Sequence, residues 1–437
     1  MHQVSRIRLR RPWGIPGAPL DSGVGEGWML FKIRGIPLRI HPSWFIVLGL
    51  ATAGFQQQYS VSLLGRASPV ALWLLACTTA VLLFVSVLLH ELGHSLVAIA
   101  HGVKVRSITL FLLGGVATVE RECSTAIGAL QVAAAGPLVS LILAGLLLAG
   151  AHPAAHLSPL LGEMVTQLGV LNLVLALFNL LPGLPLDGGL IVKALVWQFT
   201  GSQRRGIQVA AASGRFLSLM AVGMGTLLVL RGGGFGAFWL ILLGWFGLGA
   251  SRNQLQLLSL QQALRDLKVN EAARRRFRVL ESTCSLRELS QLRRNEEAIQ
   301  PADWVLICEQ GRWQGVISDD PLQTLPVQRW DRERVGDHLQ PLSTLPSIRE
   351  DSPLWQAAVQ LDEPGVDRLL VLGVSGLPTG TIERPELSEV VLKRLGLRLP
   401  PALLEAARRQ RTYPLGMAIA QVARGMELEA AGGEAPR

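Results

Sequence analysis

Six apolar blocks confine what this chain can become: they fall at about 42–57, 69–92, 126–150, 159–181, 205–230 and 235–251 of its 437 residues. A hydrocarbon core of about 30 Å asks for about 20 apolar residues in a helix. Backbone groups in lipid must be satisfied within the segment, so the spanning form here is helical. The second block continues helically to His101, and the sixth is short. An α-helical polytopic membrane protein of about six spans is expected, with the lipid bilayer as its solvent. Only 17% of residues are charged against 49% hydrophobic, and the charge lies outside the blocks. The net charge of +9 does not imply nucleic acid, because membrane topology accounts for most of the basic residues. Arg6, Arg8, Arg10, Arg11, Lys32, Arg34 and Arg39 precede the first block; Lys104, Arg106 and Arg121 follow the second; Lys193, Arg204 and Arg205 follow the fourth. The opposite loops offer Arg66 and Arg231. Positive-inside counting therefore puts both termini in the cytoplasm.

Residues 1–40 read as a basic N-terminal arm, partly disordered, and 1–28 have no apolar core or small-residue cleavage site to make a secretory signal. An organised segment begins at Met29, which competes with Met1 as the true start. That arm suits a bacterial cytoplasmic (inner) membrane or a photosynthetic one. Cys77, Cys123, Cys284 and Cys308 show no CxxC spacing and read as reduced thiols. After residue 252 the composition turns charged, with 253–265 expected as a helical linker. Laying 303–325 against 367–390 exposes an internal repeat, each copy reading as strand, helix, two strands around a Gly-containing turn, and helix. The two copies make one soluble α/β domain over 266–396, and 397–437 reads as a helix and a disordered tail.

Within the second block, "VLLHELGHSLVAIAHG" places ionisable groups in an apolar helix. At mid-bilayer such a group costs about 2.5 to 3.5 kcal/mol, which makes it a functional-site hypothesis by default. His90 and His94 stand at i and i+4, on one face, as two ligands of one metal ion require. Glu91 can then reach a water without ligating the metal, the general-base position of a zinc hydrolase. Three protein ligands are wanted, and Asp187 in "FNLLPGLPLDGG" is the candidate for the third. Pro182, Gly183 and Pro185 break the helix there, and irregular backbone at membrane depth belongs where it lines a cavity. Asp187 reads equally as the cap of the next helix. His101 shares the face of His94 but suits a polar helix end, and Asn172 reads as interhelical glue.

These motifs together resemble the site-2 protease family of intramembrane zinc metalloproteases. His90, Glu91 and His94 match its HExxH helix; Asn179, Pro182, Asp187 and Gly188 match its Asn-x-x-Pro…Leu-Asp-Gly motif. "LFLLGGVATVE" (110–120) is similar to its Gly-Gly segment and "AAGPLVSLIL" (134–143) to its third helix, while Leu190 stands where many relatives carry arginine. The resemblance covers about residues 35–250. It implies that 41–252 is a transmembrane zinc protease domain holding one zinc ion per chain through His90, His94 and Asp187. Glu91 would be the catalytic base, and Asn179 would contact the substrate or its transition state. The substrate would be a membrane-anchored protein cut within or next to its transmembrane helix, as in regulated intramembrane proteolysis. A β-hairpin over 105–122, turning near Gly114 and Gly115, could pair with an unwound substrate strand or be a structural loop. The repeat resembles a tandem pair of cystathionine-β-synthase-type (CBS) modules, a regulatory or dimerisation surface. Its nucleotide motif is degraded to Gly315, Ser318 and Pro321 in one copy and Gly380, Glu383 and Glu386 in the other, so adenine nucleotide is not expected and no cofactor-binding residue is assigned. A CBS-regulated transporter or channel is the alternative, at the expense of leaving both metal-ligand motifs as coincidences.

Overall fold

The computed structural model describes residues 27–63, 67–111, 114–119, 123–294, 304–414 and 418–433. The reading of disorder before residue 27 lies outside these. Two compact units divide the chain, one of residues up to 122 with 131–179, the other of 123–130 with everything from 180 on.

In the first unit the order is β1 (Trp28–Ile33), β2 (Ile36–Ile40), α1 (Ser43–Ser62), α2 (Pro69–Ala100), β3 (Val105–Phe111), β4 (Gly114–Val119), α3 (Ala126–Leu157), which begins in the second unit, and α4 (Pro159–Asn179). The expected hairpin is present as β3 and β4, paired antiparallel from Val105↔Val119 to Phe111↔Gly114. It is part of a larger sheet in the order β1-β2-β3-β4, with β2 and β3 parallel. Alternation in β2 explains the closure: Ile36, Leu38 and Ile40 point inward with Ile108 and Leu110 and pack against Leu88 and Leu92 of α2. The sheet is thereby seated on the helix that carries the two histidines.

The second unit adds α5 (Asp187–Thr200), α6 (Gln203–Leu230) and α7 (Phe235–Asp266). Small residues Gly206, Ala210, Ala211, Gly214 and Ser218 form the buried side of α6, the composition that lets helices approach closely in lipid. Then follow α8 (Val269–Ala272), β5 (Phe277–Glu281), α9 (Leu286–Arg294), β6 (Trp304–Glu309), β7 (Arg312–Ile317), α10 (Asp320–Thr324), β8 (Ser347–Arg349), α11 (Leu354–Leu361), β9 (Arg368–Leu372), β10 (Pro378–Glu383), α12 (Arg384–Arg394), α13 (Pro401–Gln410) and α14 (Ile419–Gly433). The sequence repeat is a structural one: β5 and β6 are parallel and β6 and β7 antiparallel, just as β8 and β9 are parallel and β9 and β10 antiparallel.

Three expectations differ in detail. Among the described residues five helices are long and apolar enough to cross a membrane, α2, α3, α4, α6 and α7; α1 forms at the first block, but Gln56, Gln57 and Gln58 make its second half polar. The linker at 253–265 is no separate element. It is the second half of α7, whose Ala263 and Leu264 enter the core of the repeat pair beside Leu354, Ala358 and Leu361. Beyond 397 two helices form, and Ile419, Val422, Ala423 and Met426 of α14 are buried in that same core, because its apolar stripe finds a partner there.

Candidate metal centre

The helix α2 starts where the Ser68 hydroxyl accepts from the Ala71 N–H and Pro69 takes the first position, a cap that satisfies an orphan donor. His90 near its far end is buried and His94 half-buried. His94 Nδ1 lies 2.7 Å from the Val132 carbonyl oxygen. A carbonyl only accepts, so Nδ1 carries the ring proton and Nε2 is left with a lone pair. His90 Nδ1 lies 2.9 Å from the buried Ser140 hydroxyl, and the two Nε2 atoms face each other at 3.2 Å. Two nitrogens bound at about 2.0–2.1 Å to one tetrahedral zinc would be about 3.3 Å apart, so the pair is spaced for a shared ion.

The backbone of α3 runs close to this pair. A Cβ built on Gly136 would stand 2.1 Å from His94 Nε2 and 2.7 Å from His90 Nε2. The glycine thus keeps clear the space in front of both Nε2 atoms, which is the room an ion needs. Val132, Gly136 and Ser140 lie at i, i+4 and i+8 on one face of α3. Sequence reasoning missed all three as functional, although two small residues four apart in an apolar span were a usable signal. Replacing Ser140 by alanine is expected to weaken zinc binding by about 10- to 100-fold, as loss of a partner that orients a metal-binding histidine does. Competition against a chelator measures it; unchanged affinity would mean that the hydroxyl only fills space.

Asn179 ends α4 with its amide Nδ2 3.4 Å from His90 Nε2, so the first unit brings the candidate substrate-contacting residue to the histidine pair. Glu91 is half-buried against β4: a Cβ on Gly115 would meet its Cγ at 2.6 Å and its Oε1 at 3.4 Å. Glycine is what lets this terminal strand pass over the carboxylate. In the second unit Asp187 opens α5 with Leu186, not itself, at the capping position and no side-chain cap bond. Gly188 and Gly189 fold α5 directly onto the preceding turn, where a Cβ would lie 2.3 Å from the Leu180 oxygen or the Leu184 nitrogen. His101 is the C-cap of α2, bonded to Gln131 at 2.6 Å, and buried Asn172 donates to Ser86 at 3.1 Å, a polar helix end and an interhelical bond.

In the repeat pair a cleft of about 270 Å³ is lined by Trp304, Asp367, Arg368, Glu383, Arg384 and Arg411 among others. Its charges are already matched. The Arg368 guanidinium donates to buried Glu383 at 2.6 Å, and Arg384 and Arg411 donate to Asp367 at 3.1 and 2.6 Å. Burial pushes the Asp367 carboxyl up, but those two guanidiniums outweigh it and hold it below the usual carboxylate range. Glu386 is buried between Arg276 and Arg408.

The model of peptidase family M50 matches residues 78–159 and 151–222. A Synechocystis sp. protein, described as a candidate zinc metalloprotease, is 36% identical over 376 residues, which cover 84% of this chain and 97% of the relative. Among solved structures, the site-2 protease from Methanocaldococcus jannaschii is similar over 52% of this chain and 94% of its own, with 31% identity and a TM-score of 0.36. The CBS domain of a bacterial CNNM/CorC family Mg2+ transporter is similar over 36% of this chain and 95% of its own, with 18% identity and a TM-score of 0.26.

Proposed function

The chain belongs to peptidase family M50, the site-2 protease family, and on that premise we propose that its zinc is one ion held by His90, His94 and Asp187, with Glu91 as catalytic base. It is a multi-pass integral membrane protein and an intramembrane zinc metalloprotease acting on membrane proteins. The observation that carries the ligand set is the converging pair of Nε2 atoms, each ring anchored through its other nitrogen. A zinc ion held by these residues would supply Lewis acidity to a scissile carbonyl and to a water. The chain's own groups do the rest. Glu91, beside the pair but outside it, takes the water's proton and passes it to the leaving amine. Asn179 has its amide nitrogen near His90 Nε2, and its part in this reading is to hold the substrate carbonyl. A helical substrate hides its carbonyls in i to i−4 bonds, so it must unwind before it is cut. Asp187→Ala, measured for zinc content and for cleavage of a tagged single-pass substrate in micelles, is expected to lose both. Full zinc and full cleavage would reduce Asp187 to the first residue of α5.

The terminal place of β4 beside Glu91 supports a second element of this reading, that the unwound substrate lies as a strand along β4. Strand pairing uses every second backbone N–H. Substrate peptides N-methylated at successive positions should therefore alternate in affinity, with about tenfold losses at one phase, each tenfold being about 1.4 kcal/mol. Equal losses at both phases would retire the strand and leave a side-chain-recognised substrate.

A further inference from the structure

A second histidine pair repeats the geometry of the first, and we propose that His152 and His156, on the last two turns of α3, form an accessory transition-metal site. The two Nε2 atoms lie 3.1 Å apart, against 3.2 Å for His90 and His94. The ring centroids are 4.5 Å apart with the planes at 79°, against 4.9 Å and 76°. Both outer histidines are exposed. Exposed imidazoles are free to turn to water, and convergence gives up rotamer freedom for one hydrogen bond that solvent competes with. A divalent ion between the two nitrogens makes the same convergence favourable, and the rigid i, i+4 spacing prepares it.

This site is separate from the first. From Gly136, which faces both catalytic Nε2 atoms, the helix advances about 24 Å to His152 and about 30 Å to His156, against about 30 Å for the hydrocarbon core. The outer pair therefore lies most of a hydrocarbon core away from the catalytic pair along α3. Neutral imidazole selects zinc, copper or nickel over magnesium or calcium. Among the described residues no third His, Cys, Asp or Glu joins this pair. The remaining positions are then filled by water or by a donor from another molecule, so binding is weaker than at the first site and exchanges with free metal. A site of that kind reports metal availability at the membrane face away from the chemistry.

Equilibrium dialysis of the full chain in micelles against zinc tests this. Wild type is expected to show a tight class and a weaker one. The His152→Ala, His156→Ala double variant should lose only the weaker class, by tenfold or more in affinity, and keep full cleavage at limiting zinc. His94→Ala should lose only the tight class. Copper added to zinc-loaded wild type should give a nitrogen hyperfine pattern in its electron spin resonance spectrum that is missing from the double variant. A single class in wild type, or a weaker class surviving in the double variant, overturns the proposal. Should the double variant not fold, His156→Asn alone carries the same comparison.

Discussion

Glu91→Gln is expected to leave zinc bound and to abolish detectable cleavage of a single-pass substrate. The side chain changes by one atom type and keeps its volume, so the contact with Gly115 is retained. The histidine pair keeps its bonds to Ser140 and Val132, so its geometry is expected to hold. What disappears is a group able to accept a proton from water. A positioned general base contributes about 10²- to 10⁴-fold, and here the same carboxylate also returns the proton to the leaving amine, so a loss at the upper end or beyond is expected. The decisive result is the pairing of two measurements, zinc per chain by elemental analysis and cleavage by gel. Retained cleavage would remove Glu91 from the mechanism. Lost zinc would make it a ligand.

Gly136→Ala is expected to move stability and function in opposite directions. In a helix interior alanine is favoured over glycine by about 1 kcal/mol, so α3 alone should gain. The new methyl, however, falls 2.1 Å from His94 Nε2 and 2.7 Å from His90 Nε2, far inside contact distance, and neither ring can retreat without breaking its bond to Val132 or Ser140. The space for the ion closes. Zinc content is expected to fall below a tenth of wild type with helix content by circular dichroism unchanged. Normal zinc in this variant would show that the ion does not lie between the pair and α3.

What was legible in the sequence was whatever depends on spacing along one element. His90, Glu91 and His94 declare themselves because i, i+1 and i+4 fix directions on any helix, and the β3–β4 hairpin because two apolar runs flank a glycine pair. The repeat declared itself through similarity between its copies. The anchors of the histidines did not, since Ser140 lies fifty residues from His90 and nothing local links them. β1 was unreadable for another reason: Trp28, Met29, Leu30 and Phe31 are all exposed, so no alternation marks a buried face. β2 carried that alternation in Ile36, Leu38 and Ile40 and could have been found. α14 was passed over because its stripe of Ile419, Val422 and Ala423 has meaning only against the core that receives it.

The unbroken course of α7 gives its length a meaning that a flexible tether would not have. A helix turns about 100° and advances about 1.5 Å for each residue. One residue added between Gly249 and Leu260 would swing the buried face at Ala263 and Leu264 by more than a quarter turn relative to the apolar half of the same helix. Seven residues, nearly two whole turns, would restore the phase at a greater height. The length of α7 is therefore quantised, and the angle at which the repeat pair is presented to the membrane is written in a residue count.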